Sequence, residues 1–349
     1  MKRSVFLLLC PFAFLIISCN YREAEDPVNT SYAFPEDRIL LGGVVAEQFS
    51  GPNLTDSSRL HRPSQFAERI AGLQKKAAEM KQEQKSLDES FYGLWQEVSN
   101  EITWQFENLS NKDITSWVTL NDSLLKYSGE QRFAEELEKM VYNAPVPQII
   151  TEAMIKSFCY TRLYDRIYVN LFGSSYVQYT HTTGGNVRIV QDTDYPFEGR
   201  ILLKVELDDT RFLDLFIRIP GWSKQSSVVM KGVQYNTIPG EYTEVARKWK
   251  NGDMVEIKLS LKPEVIRNES SAIAFTYGPL LLSYLHKPGK EMVFRSSAPL
   301  SHLQPAATEG QIPTFVFTGI SDETLILQPF STEDRTDSDR TAWITTPAR

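Results

Sequence analysis

The 349-residue sequence predicts an α+β multidomain protein, a helical N-terminal region followed by an antiparallel β-sandwich. Three observations predict it. Between about Pro63 and Tyr164 the apolar residues recur with a helical period. Near Asp165 the period switches to two, which is the spacing of a strand with one buried face. Turn signals then punctuate the second half at short intervals, as in sandwiches. At roughly 150 residues per domain, the length suggests about two domains. The expected division is 1–18 signal peptide, 19–60 tether and N-terminal segment, 61–164 helical region and 165–349 β-sandwich.

Met1-Lys2-Arg3 is a short basic start, and Val5 to Ile17 is an almost unbroken apolar run. The run is too short for the roughly 20 residues that span a bilayer, so it reads as the apolar core of a signal peptide. Ile16-Ile17-Ser18-Cys19 resembles the bacterial lipobox, in which the cysteine is acylated and becomes the first residue of the mature protein. The alternative is an ordinary signal peptide with a coincidental cysteine. Acylation of Cys19 would fix the chain to a membrane by its lipid while the polypeptide stays in water. The expected place is the bacterial cell envelope, at the outer membrane, facing the periplasm or the outside. Asn20 to Ser31 is polar and turn-rich, a tether, and its Glu23, Glu25 and Asp26 weakly resemble a surface-export signal. With Cys10 removed and Cys19 lipidated, Cys159 is the thiol that remains, and no intramolecular disulfide can form.

Phe66, Ile70, Leu73, Ala77 and Met80 form one stripe of an amphipathic helix, opposite Lys75, Lys76, Glu79, Lys81 and Glu83. Mixed charges of this kind mark a solvated face. Phe91–Phe106 is the second helix, with Trp95 and Trp104 on or near its buried side. Trp117–Tyr127 and Arg132–Tyr142 are the third and fourth, parted by Ser128-Gly129-Glu130. Beyond a break at Pro145-Val146-Pro147, Ile149, Ala153, Ile155 and Cys159 continue a helical pattern to Tyr164. From Ile167 onward Leu203/Val205/Leu207, Leu213/Leu215/Ile217/Ile219 and Val255/Ile257/Leu259/Leu261 alternate with neighbours that are polar except for Phe216. Gly184-Gly185, Asp208-Asp209, Pro220-Gly221, Pro239-Gly240 and Asn251-Gly252 supply the turns. No helical crossover pattern separates these strands, which argues against a parallel α/β sheet.

Lys+Arg total 37 against Asp+Glu 44, a net charge of −7, and the chain is a poor match for a phosphate backbone. No nucleic-acid partner is expected. There is no phosphate-binding loop, no zinc-binding H-E-x-x-H helix and no G-x-S-x-G elbow. His61, His181, His286 and His302 are far apart and none sits at ligand spacing. Cys159 shares a helix face with Ile155, which favours a buried thiol over a nucleophile. Carboxylate pairs occur at Asp208-Asp209, Glu135-Glu136 and Asp192/Asp194, most of them on turns or helix faces. Glycoside hydrolysis needs two carboxyl groups facing across a cleft, which proximity in sequence does not supply.

Tyr168-Val-Asn-Leu-Phe172, Gln191-Asp-Thr-Asp-Tyr-Pro-Phe197, Ile217-Arg-Ile-Pro-Gly-Trp222, Lys248-Trp-Lys-Asn-Gly-Asp253, Tyr277-Gly-Pro-Leu280 and Leu325-Ile-Leu-Gln-Pro-Phe330 together resemble the β-region of glycoside hydrolase family 127. That family is typified by β-L-arabinofuranosidases. Tyr127-Ser-Gly-Glu130 and the run Phe133 to Asn143 resemble the last helical hairpin of its catalytic domain. The resemblance implies a helical (α/α)₆ toroid followed by β-sandwich domains, and retaining hydrolysis by a zinc-bound cysteine. This sequence departs from that pattern at the catalytic positions. The family's Glu-x-Cys pair would fall near Ser110-Asn111-Lys112, and its Cys-Cys segment is missing because Tyr142-Asn143 runs straight to Ala144-Pro145. Cys159 lies too far along to replace it. The helical region is also too short for a whole toroid, so an incomplete one is expected.

Three readings follow. The first is a lipid-anchored, catalytically degenerate relative that binds a glycan, of plant or host type, or another partner. The second is an active hydrolase using carboxylates such as Glu101 or Glu107, and the third a non-functional, internally deleted product. Trp222 and Trp249 could stack on sugar rings, but lie in motifs that read as sandwich core. No catalytic residue is assigned, no metal ligand is named and no cofactor is expected; Cys19 is the one modification site. Replacing it tests the anchor. Cys19→Ala should release a soluble form or leave an unprocessed precursor, and unchanged fractionation and mass would count against acylation.

Overall fold

A computed structural model of the chain describes residues 31–43, 45–46, 64–144, 149–285, 298–306, 312–319, 324–330 and 340–345. The signal peptide, Cys19, His61, the Pro145-Val146-Pro147 break and His286 lie outside them. The expected order of a helical part followed by antiparallel sheets is what the chain adopts.

Five α-helices occur among the described residues: α1 (Ala67–Gln82), α2 (Glu89–Trp104), α3 (Asn111–Ser128), α4 (Gln131–Asn143) and α5 (Glu152–Phe158). Their starts are chemically marked. The Asp88 carboxylate accepts from Phe91 N at 2.7 Å, and Thr151 caps α5 through Met154 N. Ser110 and Asp113 form a reciprocal capping box at the start of α3. Gly129 ends α3 at φ 69°, a left-handed conformation that a side chain would resist. Inside, Trp95 stacks on Trp117 with centroids 6.0 Å apart and meets Phe133 edge-on at 5.2 Å. Both indole N–H groups are satisfied, Trp95 by Asn121 Oδ1 and Trp117 by Glu136 Oε2. The stripe Phe66, Ile70, Leu73 and Met80 is buried as its spacing predicts, and Trp95 is buried too; Trp104 is only half-buried.

The helical pattern read up to Tyr164 stops at Phe158. Cys159 is the cap that follows the helix, and Tyr160 already lies in a strand. Ile155, Phe158 and Cys159 are buried in either geometry, which is why an apolar spacing alone could not place the change.

The strands in chain order are β1 (Tyr32–Ala33), β2 (Ile39–Leu41), β3 (Tyr160–Leu163), β4 (Arg166–Val169), β5 (Ser175–Thr180), β6 (Asn186–Asp192), β7 (Arg200–Leu207), β8 (Arg211–Arg218), β9 (Ser227–Met230), β10 (Val233–Tyr235), β11 (Tyr242–Trp249) and β12 (Asp253–Lys258). They make two sheets, of order β1-β3-β4-β8-β11 and β10-β9-β12-β7-β6-β5-β2. Leu213, Leu215, Ile217 and Val245 of the first sheet share one core with Val187, Ile189, Ile201, Leu203, Val205, Val255 and Ile257 of the second, all of them fully buried. The alternating residues therefore face each other, as period two requires. The pairing is antiparallel with one exception, since β4 runs parallel to β8 with Tyr168 opposite Phe216. Leu259 and Leu261, read as a continuation of β12, lie beyond its end at Lys258. At Gly199 a Cβ would come 2.1 Å from Leu259 O, so that crossing admits glycine alone. The N-terminal segment does more than tether: β1 closes an edge of one sheet and β2 an edge of the other.

A third sheet follows, β13 (Pro263–Arg267), β14 (Ile273–Tyr277), β15 (Leu280–Leu285), β16 (Leu303–Pro305), β17 (Phe315–Thr318) and β18 (Thr324–Pro329), with β19 (Arg340–Thr341) on β15. Its own core gathers Ile273, Phe275, Leu282, Phe317, Leu327 and Ile344.

Helix α4 joins the helical part to the strands. Glu138 reaches the fully buried Arg218 guanidinium at the end of β8, and the same carboxylate oxygen accepts from Tyr195 OH at 2.7 Å. Arg218 Nε donates to Asn170 O at 2.6 Å. Burial works against the Arg218 charge, yet Glu138 beside it holds the guanidinium protonated, above its ordinary value. Breaking a buried pair strands the remaining charge, at about 3–5 kcal/mol. Arg218→Met should therefore lower the denaturant midpoint by an amount equivalent to about 3–5 kcal/mol. The double variant Glu138→Leu/Arg218→Met should recover much of that loss. Additive losses would show that the pair is not coupled.

Candidate functional site

A groove of about 660 Å³ lies on the outward face of the second sheet. Residues two apart on a strand share a face, and here Gln178 of β5, Arg188 of β6, and Lys204 and Glu206 of β7 share the outer one. The turns add Asn186, Asp208 and Asn251, and Arg38 comes from the short turn before β2. Lys204 Nζ lies 2.8 Å from Glu206 Oε1, and Arg188 Nη1 3.5 Å from Glu206 Oε2. The Arg188 guanidinium sits 3.9 Å from the centroid of the Tyr176 ring, and its Nε is buried without a partner among the described residues. Asn186 donates through both its backbone N and its Nδ2 to Asp208 Oδ2, each at 2.9 Å.

The hydrogen bond from Lys204 holds the Glu206 carboxyl below its usual range. A carboxylate kept ionised in this way accepts hydrogen bonds but cannot serve as the proton donor of a glycosidase pair, which needs a raised value. Cations, carboxylates and amides in one groove suit a ligand with many hydroxyl groups. None of these residues was singled out from sequence as a site; the available signal was the run of outward positions at period two, legible only once strand partners are known.

The positions where the family's chemistry would sit do other work. Ser110 is a helix cap, and Asp113 three residues on accepts from Ser110 Oγ at 2.6 Å and from Phe66 N at 3.0 Å, and also from Ser64 Oγ. Cys159 is 2% exposed. Its surroundings are apolar, and burial pushes the thiol up to about 12. Among the described residues no three His, Cys, Asp or Glu side chains converge as a metal site. The zinc thiolate set implied by the resemblance does not fit the described residues, because Cys159 is their one thiol and such a set needs three.

The remaining candidates disperse. Glu101 pairs with Arg69 at 2.5 Å on the helical surface. Glu107 accepts from Thr341 Oγ1 at 3.0 Å and from Ala342 N, which ties the C-terminal strand to the helices. Glu135 accepts from Gly221 N at 2.9 Å, and Glu136 pairs with Lys139. His181 is buried in the β5–β6 turn, 2.9 Å from Phe212 O, while His302 lies 6.4 Å from the Phe317 ring. Trp249 is fully buried with its N–H on Leu213 O at 2.9 Å, as its motif predicts. Trp222 is partly buried, 3.3 Å from where a Cβ on Gly278 would stand.

Residues 166–261 match the family model described as "Beta-L-arabinofuranosidase, GH127 middle domain". The resemblance to glycoside hydrolase family 127 is thereby shown. A GH127 β-L-arabinofuranosidase from Geobacillus stearothermophilus T6 superposes with TM-score 0.55 at 16% identity, over 67% of this chain and 49% of that one. A second GH127 β-arabinofuranosidase gives TM-score 0.55 at 17% identity, over 68% and 49%. A further glycoside hydrolase gives 0.54 at 17%, over 68% and 52%. At such identities the likeness shows the fold, and the chain spans about half the length of these structures. No curated protein matches it in sequence.

In a chain beginning at Asn20, Cys159 is the sole thiol. It should resist a thiol reagent at pH 8 and react within minutes once unfolded in guanidinium. Folding raises its pKa, so its contribution to stability is whole below the ordinary value of 9.0 and is lost as pH climbs towards about 12. Rapid labelling of the folded protein at pH 8 would contradict the burial.

Proposed function

We propose that this chain is a carbohydrate-binding, catalytically degenerate relative of the glycoside hydrolase family 127 enzymes, anchored in the bacterial envelope through acylated Cys19. Its helices are read as the remnant of an (α/α) toroid, and its ligand as a glycan of plant or host type bound in the polar groove. The observation that carries the loss of hydrolysis is the burial of Cys159. The one thiol among the described residues is closed off from any substrate in the folded chain, and an attacking thiolate must be reachable. The similar β-arabinofuranosidase structures supply the carbohydrate context, and the groove supplies side chains suited to hydroxyl groups.

The test uses purified chain from Asn20 onward. Expected are substoichiometric zinc, no release of the aryl group from an aryl β-L-arabinofuranoside, and calorimetric binding of arabino-oligosaccharides that Arg188→Ala weakens at least tenfold. Stoichiometric zinc, or turnover abolished by Cys159→Ser, would overturn the degenerate reading. Turnover that survives Cys159→Ser would point to carboxylates, with Glu101 and Glu107 the first to replace.

A further inference from the structure

The first sheet carries a second cavity, of about 400 Å³, on its own outward face at the tip of the β3–β4 hairpin. Two large side chains stand in water there. Tyr164 is 77% exposed and Phe212 57% exposed. Tyr164 also holds φ 55°, a left-handed conformation that is an outlier for a bulky residue and carries strain. Glycine or asparagine would make this turn without strain, so folding alone gives no reason for tyrosine.

The Asp214 carboxylate lines the same cleft. Asp214 Oδ2 is 3.6 Å from Arg166 Nε, while its Oδ1 is buried with no hydrogen-bond partner among the described residues. The neighbouring Asp165 is committed: it accepts from Thr182 N at 3.2 Å and from Thr182 Oγ1, and lies 3.3 Å from His181 Nε2. Arg166 offsets the Asp214 charge, so the cleft offers a local acceptor without a strong net field. Along the same face, Phe216 follows Phe212 on β8 and stacks on Tyr168, centroids 4.7 Å apart. Four strand residues give the aromatic track a length of about 13 Å.

We propose that this cleft is a second saccharide-binding site, in which Tyr164 and Phe212 stack on the apolar face of a sugar ring and the Asp214 carboxylate accepts a hydroxyl hydrogen through Oδ2. A sugar ring presents C–H groups on a face and hydroxyls at its rim. The C–H groups suit the negative face of an aromatic ring, and the rim suits an acceptor in the same cleft. A purely apolar ligand would leave Asp214 Oδ2 unmet, and a cationic peptide would meet Arg166. The cavity falls within the size range of small-ligand sites. The ligand class rests on the carbohydrate reading above; the cleft is separate from the polar groove and is tested separately.

The experiment is calorimetry and saturation-transfer NMR on the chain from Asn20 onward, with arabinohexaose, xylohexaose and cellohexaose as probes and an oligolysine peptide as control. Tyr164→Gly should keep or raise Tm, because glycine accepts φ 55° freely, while weakening binding of the recognised hexaose at least tenfold. Phe212→Ala and Asp214→Asn should weaken it similarly, and Arg188→Ala in the groove should leave the cleft's contribution in place. If Arg188→Ala abolishes all binding and the cleft variants change nothing, this proposal falls while the groove reading stands. If none of the hexaoses binds the unaltered chain, or only oligolysine does so at the cleft, the proposal is overturned. If the cleft variants alone abolish binding, it is upheld and the groove reading falls.

Discussion

The buried pair of Glu138 and Arg218 is the interaction on which the arrangement of this molecule rests. It lies where a helix meets the end of β8, with neither charge in contact with water. Ions placed so deep are tolerated only where the geometry around them is fixed, and α4 fixes it. Residues at i, i+3, i+7 and i+8 share a helix face, and on α4 these are Glu135, Glu138, Tyr142 and Asn143. Glu135 holds Gly221 N, and Tyr142 OH donates to Phe172 O at 2.6 Å. Asn143 donates to Pro279 O at 2.8 Å and accepts from Leu281 N at 2.7 Å, at the third sheet. One face of one helix therefore sets both sheet systems in place.

Much of this was legible in the sequence, for physical reasons that can be named. Leu203, Val205 and Leu207 alternate because one face of β7 is dry, and any strand with one dry face shows that period. The helices α1 to α4 were legible through their stripes and through Gly129. Short strands were not. β1 has two residues and β2 three, too few to display any period, and their partners lie more than a hundred residues further on. The parallel pairing of β4 with β8 is likewise a property of the assembled sheet. At Tyr160 the same apolar residues satisfy a helix or a strand, so the boundary was misplaced by a few residues.

The functional surfaces were the least legible part. Catalytic motifs announce themselves by residue type and spacing, and the departure from the cysteine pairs that the resemblance implies, near Ser110 and after Tyr142-Asn143, could be read directly. A binding face is an agreement among neighbouring strands. Arg188, Lys204 and Glu206 each look like an ordinary solvated residue until the register puts them side by side. Tyr164 gave no hint, because the helical spacing runs up to it and hides the hairpin turn between β3 and β4. The groove and the hairpin cleft approach the same end of the sandwich, linked by the β5–β6 turn, where His181 touches Phe212 and Gly184 O accepts from Arg211 Nε at 3.0 Å.

The two N-terminal strands give the chain a closed circuit. Residues 31–43 seal an outer edge of each sheet before the helices begin, although the rest of both sheets is made from residues beyond 159. Unsealed edges expose rows of backbone N–H and C=O groups that invite pairing with another copy. Severing the polypeptide between helices and strands would thus not free an autonomous β module, but a body with two adhesive rims. The start of the chain acts as a selvedge, and a pull on it would be felt first as shear across the hydrogen bonds of β1 and β2.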